Sequence, residues 1–169
     1  MEELGRKSVE DFKLADKKPL VVVMDNIRSM HNVGSVFRTA DAFLISGICL
    51  CGFTPQPPHR DIHKTALGAT DSVDWLYYEN TVDAVLALKA RGYKVLAIEQ
   101  TEGSIMLDQY VDKQMPTAFV FGNEVDGVSD EVIQVCDGVI EIPQWGMKHS
   151  LNISVAAAVV LWEFVRKVD

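Results

Sequence analysis

The stretch Thr117-Ala-Phe-Val-Phe-Gly122-Asn-Glu124-Val-Asp-Gly127-Val-Ser129 runs from an unbroken apolar segment straight into a glycine, an Asn-Glu pair, a second glycine and a serine. A short apolar run bounded by turn residues is the pattern of a strand buried on both faces. Ser129 then caps a helix that reaches Cys136. A strand feeding a helix through a tight turn is half of a crossover unit, and crossover units build parallel sheets with helices on their faces. The same alternation extends outward in both directions. Upstream, Leu20–Met24 reads as a strand, Asn32 to Ile45 as a helix and Gly47–Cys51 as a strand. After the Pro-rich stretch 54–58 come a short helix at Arg60–Leu67, a strand at Val73–Tyr78, a helix from Thr81 to Arg91 closed by Gly92, and a strand at Lys94–Ile98. Downstream, Val139–Ile142 is the last strand and Leu151–Val168 the last helix. The expectation is an α/β fold, with a six-stranded, mostly parallel sheet flanked by helices. Residues 1–18 read as a short mixed-charge helical extension and 19–169 as a single domain.

Composition agrees with an ordinary globular chain. The 169 residues are 48% hydrophobic and 24% charged, which excludes intrinsic disorder, collagen-like repeats and a disulfide scaffold. No apolar run reaches the roughly 20 residues that a membrane-spanning helix needs. The most apolar stretch, Leu151 to Val165, is interrupted by Asn152, Ser154 and Glu163 and reads as a buried helix. The first residues show no apolar segment of signal-peptide type, so a cytoplasmic location is expected. Cys49, Cys51 and Cys136 are odd in number and not densely spaced, and are expected to be small buried hydrophobes.

The net charge of −8 by itself argues against a polyanionic partner. The acidity is local, however. Residues 71–141 hold fourteen acids and four bases, whereas residues 25–70 hold three acids, four bases and three of the four histidines. A polyanion can meet the neutral-to-basic face made by the two ends of the chain.

Three constellations bear chemistry. In Asn32-Val-Gly-Ser35-Val-Phe-Arg38-Thr39, Asn32 is a good N-cap. Val33, Val36, Phe37, Ala40, Phe43 and Leu44 form an apolar stripe, with Asn32, Ser35, Arg38 and Thr39 on the other side. A helix start carrying an amide, a hydroxyl and a guanidinium suits a phosphate or a ribose; a merely solvated helix face is the alternative. In Phe119 to Ser129, Gly122 would let a ligand approach the backbone beyond a strand end; an ordinary βα turn is the alternative. Neither a Rossmann nor a Walker glycine pattern is present there. In Ile142-Pro-Gln-Trp-Gly146-Met-Lys148-His149-Ser150-Leu151-Asn152-Ile-Ser154, Ser150 caps a very apolar helix, and Asn152 and Ser154 sit in its first turn. The following Ala156, Ala157 and Ala158 allow close packing against the core or against another subunit. His59 and His63 lack a third ligand of suitable spacing, so no metal is expected. Ser150 beside His149 lacks the nucleophile elbow of a hydrolase.

Taken in order, these stretches resemble the SpoU (TrmH-like) family of RNA 2′-O-ribose methyltransferases, within the SPOUT superfamily. The similarity lies in Asn32-x-x-Ser35-x-x-Arg38, in Phe121-Gly122-Asn123-Glu124-x-x-Gly127, and in Ile142-Pro143 through Ser150-Leu151-Asn152-x-Ser154-x-Ala156. The segment Lys64-Thr-Ala-Leu-Gly-Ala69 is also family-like, and the whole spans residues 20 to 165. The resemblance implies S-adenosylmethionine as methyl donor and a C-terminal deep trefoil knot, which chain-connection physics alone would not predict. It implies a homodimer whose active site is completed across the subunit interface. The cofactor would lie against Gly122, Asn123, Ile142 and Leu151, with Ile98 and Glu99 nearby. Asn32, Arg38, Glu124, Ser150 and Asn152 match the catalytic positions.

The implied substrate is RNA, tRNA before rRNA. The family's proposed base is the arginine, here Arg38, yet a free guanidinium holds its proton to a pKa above about 12. Two roles stay open: a clamp on the phosphate beside the target ribose, or a base perturbed by site closure. Glu124 and Asn32 are expected to orient Arg38, with Ser150 and Asn152 bonding the ribose or the guanidinium. The other function class is a catalytically silent RNA- or adenosine-ligand-binding module on the same fold.

Overall fold

The computed structural model describes residue 5 and residues 7–111, 116–148 and 150–167. The chain order is α1 (Val9–Leu14), β1 (Lys18–Asp25), α2 (Met30–Ala42), β2 (Ile45–Cys51), α3 (Arg60–Ala66), α4 (Ala69–Ser72) and β3 (Trp75–Tyr78). It continues with α5 (Thr81–Ala90), β4 (Lys94–Ile98), β5 (Ile105–Met106), β6 (Thr117–Phe121), α6 (Asp130–Val135), β7 (Gly138–Glu141) and α7 (Ile153–Val165). The strands form one sheet in the order β3-β2-β1-β6-β4-β7-β5, and every pairing is parallel.

Alternation along each central strand divides the interior in two. Leu20, Val22 and Met24 of β1 join Phe119 and Phe121 of β6 in one core, under α2 and α7. Val21 and Val23 join Ala118 and Val120 in the other core, with Ala84, Val85 and Leu88 of α5. A strand buried on both faces has no polar position to spare, which is why these segments read as continuous apolar runs. Val33, Val36, Phe37 and Ala40 are buried along α2, as the stripe predicted.

Several expectations need correction. The sheet has seven strands rather than six, because Ile105–Met106 pairs with β7 over a span too short to leave a pattern. The cap of α2 is Ser29, whose side chain accepts from the Asn32 N–H, so Asn32 lies inside the first turn. That helix ends at Ala42; Leu44 takes a left-handed conformation and Ile45 already belongs to β2. The cap of α7 is Asn152, not Ser150, and its side chain accepts from the Ser154 N–H. Arg91 is the C-cap of α5, with Gly92 in the left-handed position just beyond it. Ser129 is the N-cap position of α6 but makes no side-chain capping bond. In the predicted extension only Val9–Leu14 is helical among the described residues, and Phe12 buries itself in the core.

Candidate active site

Ligand sites of open parallel sheets lie beyond the carboxyl ends of the strands. Here β4, β6 and β7 end at Ile98, Phe121 and Glu141, and the segments that follow surround a cavity of about 750 Å³. That volume falls in the range of small-molecule sites. Ile98, Glu99, Gly122, Asn123, Ile142 and Leu151, the six positions expected to hold the cofactor, all line it. So do Glu124, Ser150 and Asn152.

The wall after β6 is a tight hairpin. Asn123 and Gly127 exchange backbone hydrogen bonds of 3.1 and 3.0 Å. The Asn123 side-chain oxygen accepts from the N–H groups of Val125 (2.7 Å) and Asp126 (2.9 Å). Gly127 has φ +69°, and a Cβ there would strike the Glu99 carboxylate. That carboxylate accepts from the Val128 N–H at 3.0 Å and the Gln100 N–H at 2.8 Å, which ties the end of β4 to the hairpin. Gly122 lines the cavity, and a second demand also falls on it: a Cβ there would collide with the backbone of Gly127 and Val128, so closure of the hairpin requires the glycine.

At the cavity mouth the three sequence constellations meet. The Asn32 amide donates to Glu124 Oε1 at 3.2 Å, and the Asn152 amide donates to Asn32 Oδ1 at 3.1 Å. Asn152 Oδ1 accepts from the Ser154 N–H at 2.9 Å and from its hydroxyl at 2.6 Å. The Arg28 N–H donates to Glu124 Oε2 at 3.3 Å, so the carboxylate sits at the N-terminus of α2, where the helix dipole favours negative charge. Burial pushes the Glu124 carboxyl up. Hydrogen bonds from its own backbone, from the N–H groups of Arg28 and Ser29 and from Asn32 outweigh that and hold it below its ordinary range.

Arg38 does not join this cluster. It is exposed, six residues along α2 from Asn32, which is roughly 9 Å of helix rise. Among the described residues no hydrogen bond or ion pair reaches it, so the expected orientation by Glu124 and Asn32 is absent within one chain. Ser150 lies on the exposed approach to α7, and His149 lies outside the described residues. Gln100, Thr101, Asp126, Asp130 and Gln144 also line the cavity and were not anticipated. For Gln100, Thr101 and Gln144 the signal was available, since each follows a strand end. With Glu99, Glu124, Asp126 and Asp130 on its walls, the cavity has a surplus of carboxylates and suits a cation.

Other candidate groups are accounted for by the fold. His59 caps α3 by accepting from the Asp61 N–H at 3.1 Å, and among the described residues no group of His, Cys, Asp or Glu could hold a metal ion. Cys49 and Cys51 are buried as expected, whereas Cys136 is only partly buried; burial pushes the Cys49 thiol up to about 11 and those of Cys51 and Cys136 to about 12. Among the described residues no helix is long and apolar enough to cross a membrane.

Residues 19–162 match the model of the SpoU rRNA Methylase family. The chain is 34% identical over 155 residues to the tRNA (guanosine(18)-2′-O)-methyltransferase of Aquifex aeolicus, covering 89% of this chain and 71% of that enzyme. It is 31% identical over 166 residues to the 23S rRNA (guanosine-2′-O-)-methyltransferase of Vibrio parahaemolyticus, covering 98% of this chain and 66% of that enzyme. The crystal structure of an AdoMet-bound rRNA methyltransferase from Sinorhizobium meliloti superposes with a TM-score of 0.83 at 28% identity, covering 94% of this chain and 60% of that one.

Proposed function

The chain belongs to the SpoU family, and from that premise we propose that it transfers a methyl group from S-adenosylmethionine to a ribose 2′-hydroxyl of RNA, tRNA before rRNA. The observation that carries this reading is the chain of hydrogen bonds through Glu124, Asn32 and Asn152, which joins residues from three separate sequence motifs at the mouth of one cavity.

The cavity fits the methyl donor. Ile98, Phe121, Ile142 and Leu151 offer apolar surface to a purine, and the carboxylates around them favour a sulfonium cation. When bound, S-adenosylmethionine supplies a methyl group on a good leaving group, so the protein needs no metal. Glu99 and the 123–127 hairpin hold the walls rigid. The amides of Asn32 and Asn152, fixed by Glu124 and Ser154, present donors and acceptors to an incoming ribose. Holding two reactants in line removes much of the barrier of a bimolecular transfer. Ser150, at the cavity wall, adds a hydroxyl to the same group.

Arg38, two turns away, supplies its charge to the cavity of a second subunit in this reading. A homodimer is supported by an apolar surface on α7 and the loop before it. Trp145 is 92% and Met147 84% exposed, and Val155, Val159 and Trp162 continue the patch. The family's trefoil knot is part of this reading and is carried by family membership. Residues 19–169 act as one catalytic unit behind a short extension, working in the cytoplasm where these RNAs reside.

The test is tritium transfer from labelled cofactor to unmodified tRNA and rRNA. Label retained on a ribose supports the reading. Cofactor bound with no transfer to any RNA would instead favour a silent binding module.

A further inference from the structure

Phe53 holds 58% of its surface in solvent although it lies two residues beyond Cys51, the buried end of β2. Its backbone is fixed on both sides. The Gly52 N–H donates to the Tyr78 carbonyl at 3.0 Å, and the Gly52 carbonyl accepts from the Tyr77 hydroxyl at 2.9 Å. The Phe53 N–H donates to Asn26 Oδ1 at 3.2 Å. Thr54, only 2% exposed, donates its hydroxyl to the Met24 carbonyl at 3.1 Å and accepts from the Ile27 N–H at 2.9 Å. Gly52 (φ +62°) and Asn26 (φ +54°) are both left-handed, and Asn26 Oδ1 fills the space that a Gly52 Cβ would need. The chain thus spends two uncommon backbone conformations on a turn whose outward product is one exposed ring.

The position of that ring matters. The Arg28 guanidinium carbon lies 5.9 Å from the centre of the Phe53 ring, and the backbone N–H of the same Arg28 donates to Glu124 Oε2. Arg28 thus links the two: its guanidinium faces the ring, and its backbone N–H joins the hydrogen-bonded cluster through Glu124. The adjoining helix α3 carries Arg60 and Lys64, and its acid, Asp61, is already paired with Lys64 at 2.6 Å. A lone exposed apolar side chain is ordinary. An aromatic ring held out into solvent on a fixed turn, beside a guanidinium, has the make-up of a base-stacking platform.

We propose that Phe53, with Arg28 beside it, stacks a nucleobase at the target nucleotide or its immediate neighbour and so sets the register of the RNA over the site. This rests on the RNA-methylating reading above. Phe53 binds substrate and takes no part in the proton or methyl transfer.

The experiment uses full-length protein and the unmodified transcript that accepts tritium from labelled cofactor. Copies of that transcript carry an abasic nucleotide at the target or at either neighbour. RNA affinity and single-turnover rate are measured for wild type, Phe53→Ala and Phe53→Trp, with S-adenosylhomocysteine affinity by calorimetry. Phe53→Ala is expected to weaken RNA binding at least about fivefold on the intact transcript, as loss of one stacked base does. Cofactor affinity stays unchanged, and Phe53→Trp binds like wild type. The loss vanishes on the transcript that lacks the stacked base, where wild type is already weak. Unchanged RNA affinity in Phe53→Ala, or an equal loss on every abasic transcript, overturns the proposal. Failure of Phe53→Trp to restore binding counts against it as well. If wild type labels no RNA at all, the RNA-methylating reading fails and this inference falls with it. If wild type labels RNA and Phe53→Ala binds it equally well, this inference alone fails.

Discussion

Arg38 is exposed and is not among the buried residues of α2, so its removal costs the fold little, less than about 0.5 kcal/mol for a surface change of this kind. In the proposed reading it acts on RNA at the cavity of a second subunit, so its loss should fall on the reaction. Arg38→Ala is expected to keep the fold and cofactor affinity while lowering single-turnover methyl transfer by at least about 100-fold, the low end for a positioned acid–base group. Arg38→Lys keeps the charge but not the planar fork. Recovery by lysine identifies a phosphate clamp, and a rate as low as alanine's identifies a role that needs guanidinium geometry. A wild-type rate in Arg38→Ala would remove the residue from the mechanism. At this scale the strand end at Gly122 was legible as a candidate ligand position, whereas Ile98 and Ile142 came only through the family resemblance; all three line the cavity. The sequence misled where two residues suit the same local role. Ser29 and Asn32 are both good caps three positions apart, and only the fold, which sets Asn32 against Glu124, decides between them. The second demand on Gly122 was hidden too, because the backbone it must avoid belongs to a hairpin that closes on it five residues later.

At the level of elements, the first turn of α2 is the joint of the site. Ser29 caps it from within, and Glu124 reaches its N–H groups from the loop after β6. Because the folded-state pKa of Glu124 lies below its ordinary value of 4.5, its ionised form contributes stability that is fully present above that value. The contribution is lost as the pH falls through the folded-state pKa. Thermal unfolding of wild type and Glu124→Gln should therefore differ by a constant amount near neutrality, and the gap should close as the medium is acidified below 4.5. A gap that does not change with pH would mean that the carboxylate charge does not stabilise this joint. The elements themselves were legible because both cores take alternate residues of strands buried on two faces. β5 was not, since two residues carry no period. The start of α7 shifted from Ser150 to Asn152, again between two competent caps.

At the scale of the whole molecule, the proposed homodimer would cover the exposed apolar side chains of α7 and bring Arg38 to the cavity of the second subunit. Val159 lies on that surface and is not one of the buried residues of its helix. Val159→Asp is expected to convert a species of about twice 18.8 kDa into a folded monomer in sedimentation, with methyl transfer lost and circular dichroism retained. A wild-type protein that sediments as a monomer and still methylates RNA at full rate would contradict this. The net charge of −8 argued against RNA as a partner when taken over the whole chain, but the acids are concentrated in residues 71–141, which leaves the two ends of the chain neutral to basic. The trefoil knot rests on the family resemblance alone and belongs to the proposed reading, because no local pattern encodes threading. The central claim is methyl transfer to a ribose hydroxyl, and the most direct measurement is the position of the label. Unmodified RNA incubated with the protein and tritiated cofactor is hydrolysed with alkali, which cannot cleave beside a methylated 2′-oxygen. Tritium is expected in an alkali-resistant dinucleotide at one site; tritium recovered in mononucleotides as a methylated base, or no incorporation into any RNA, would rule out ribose methylation by this protein.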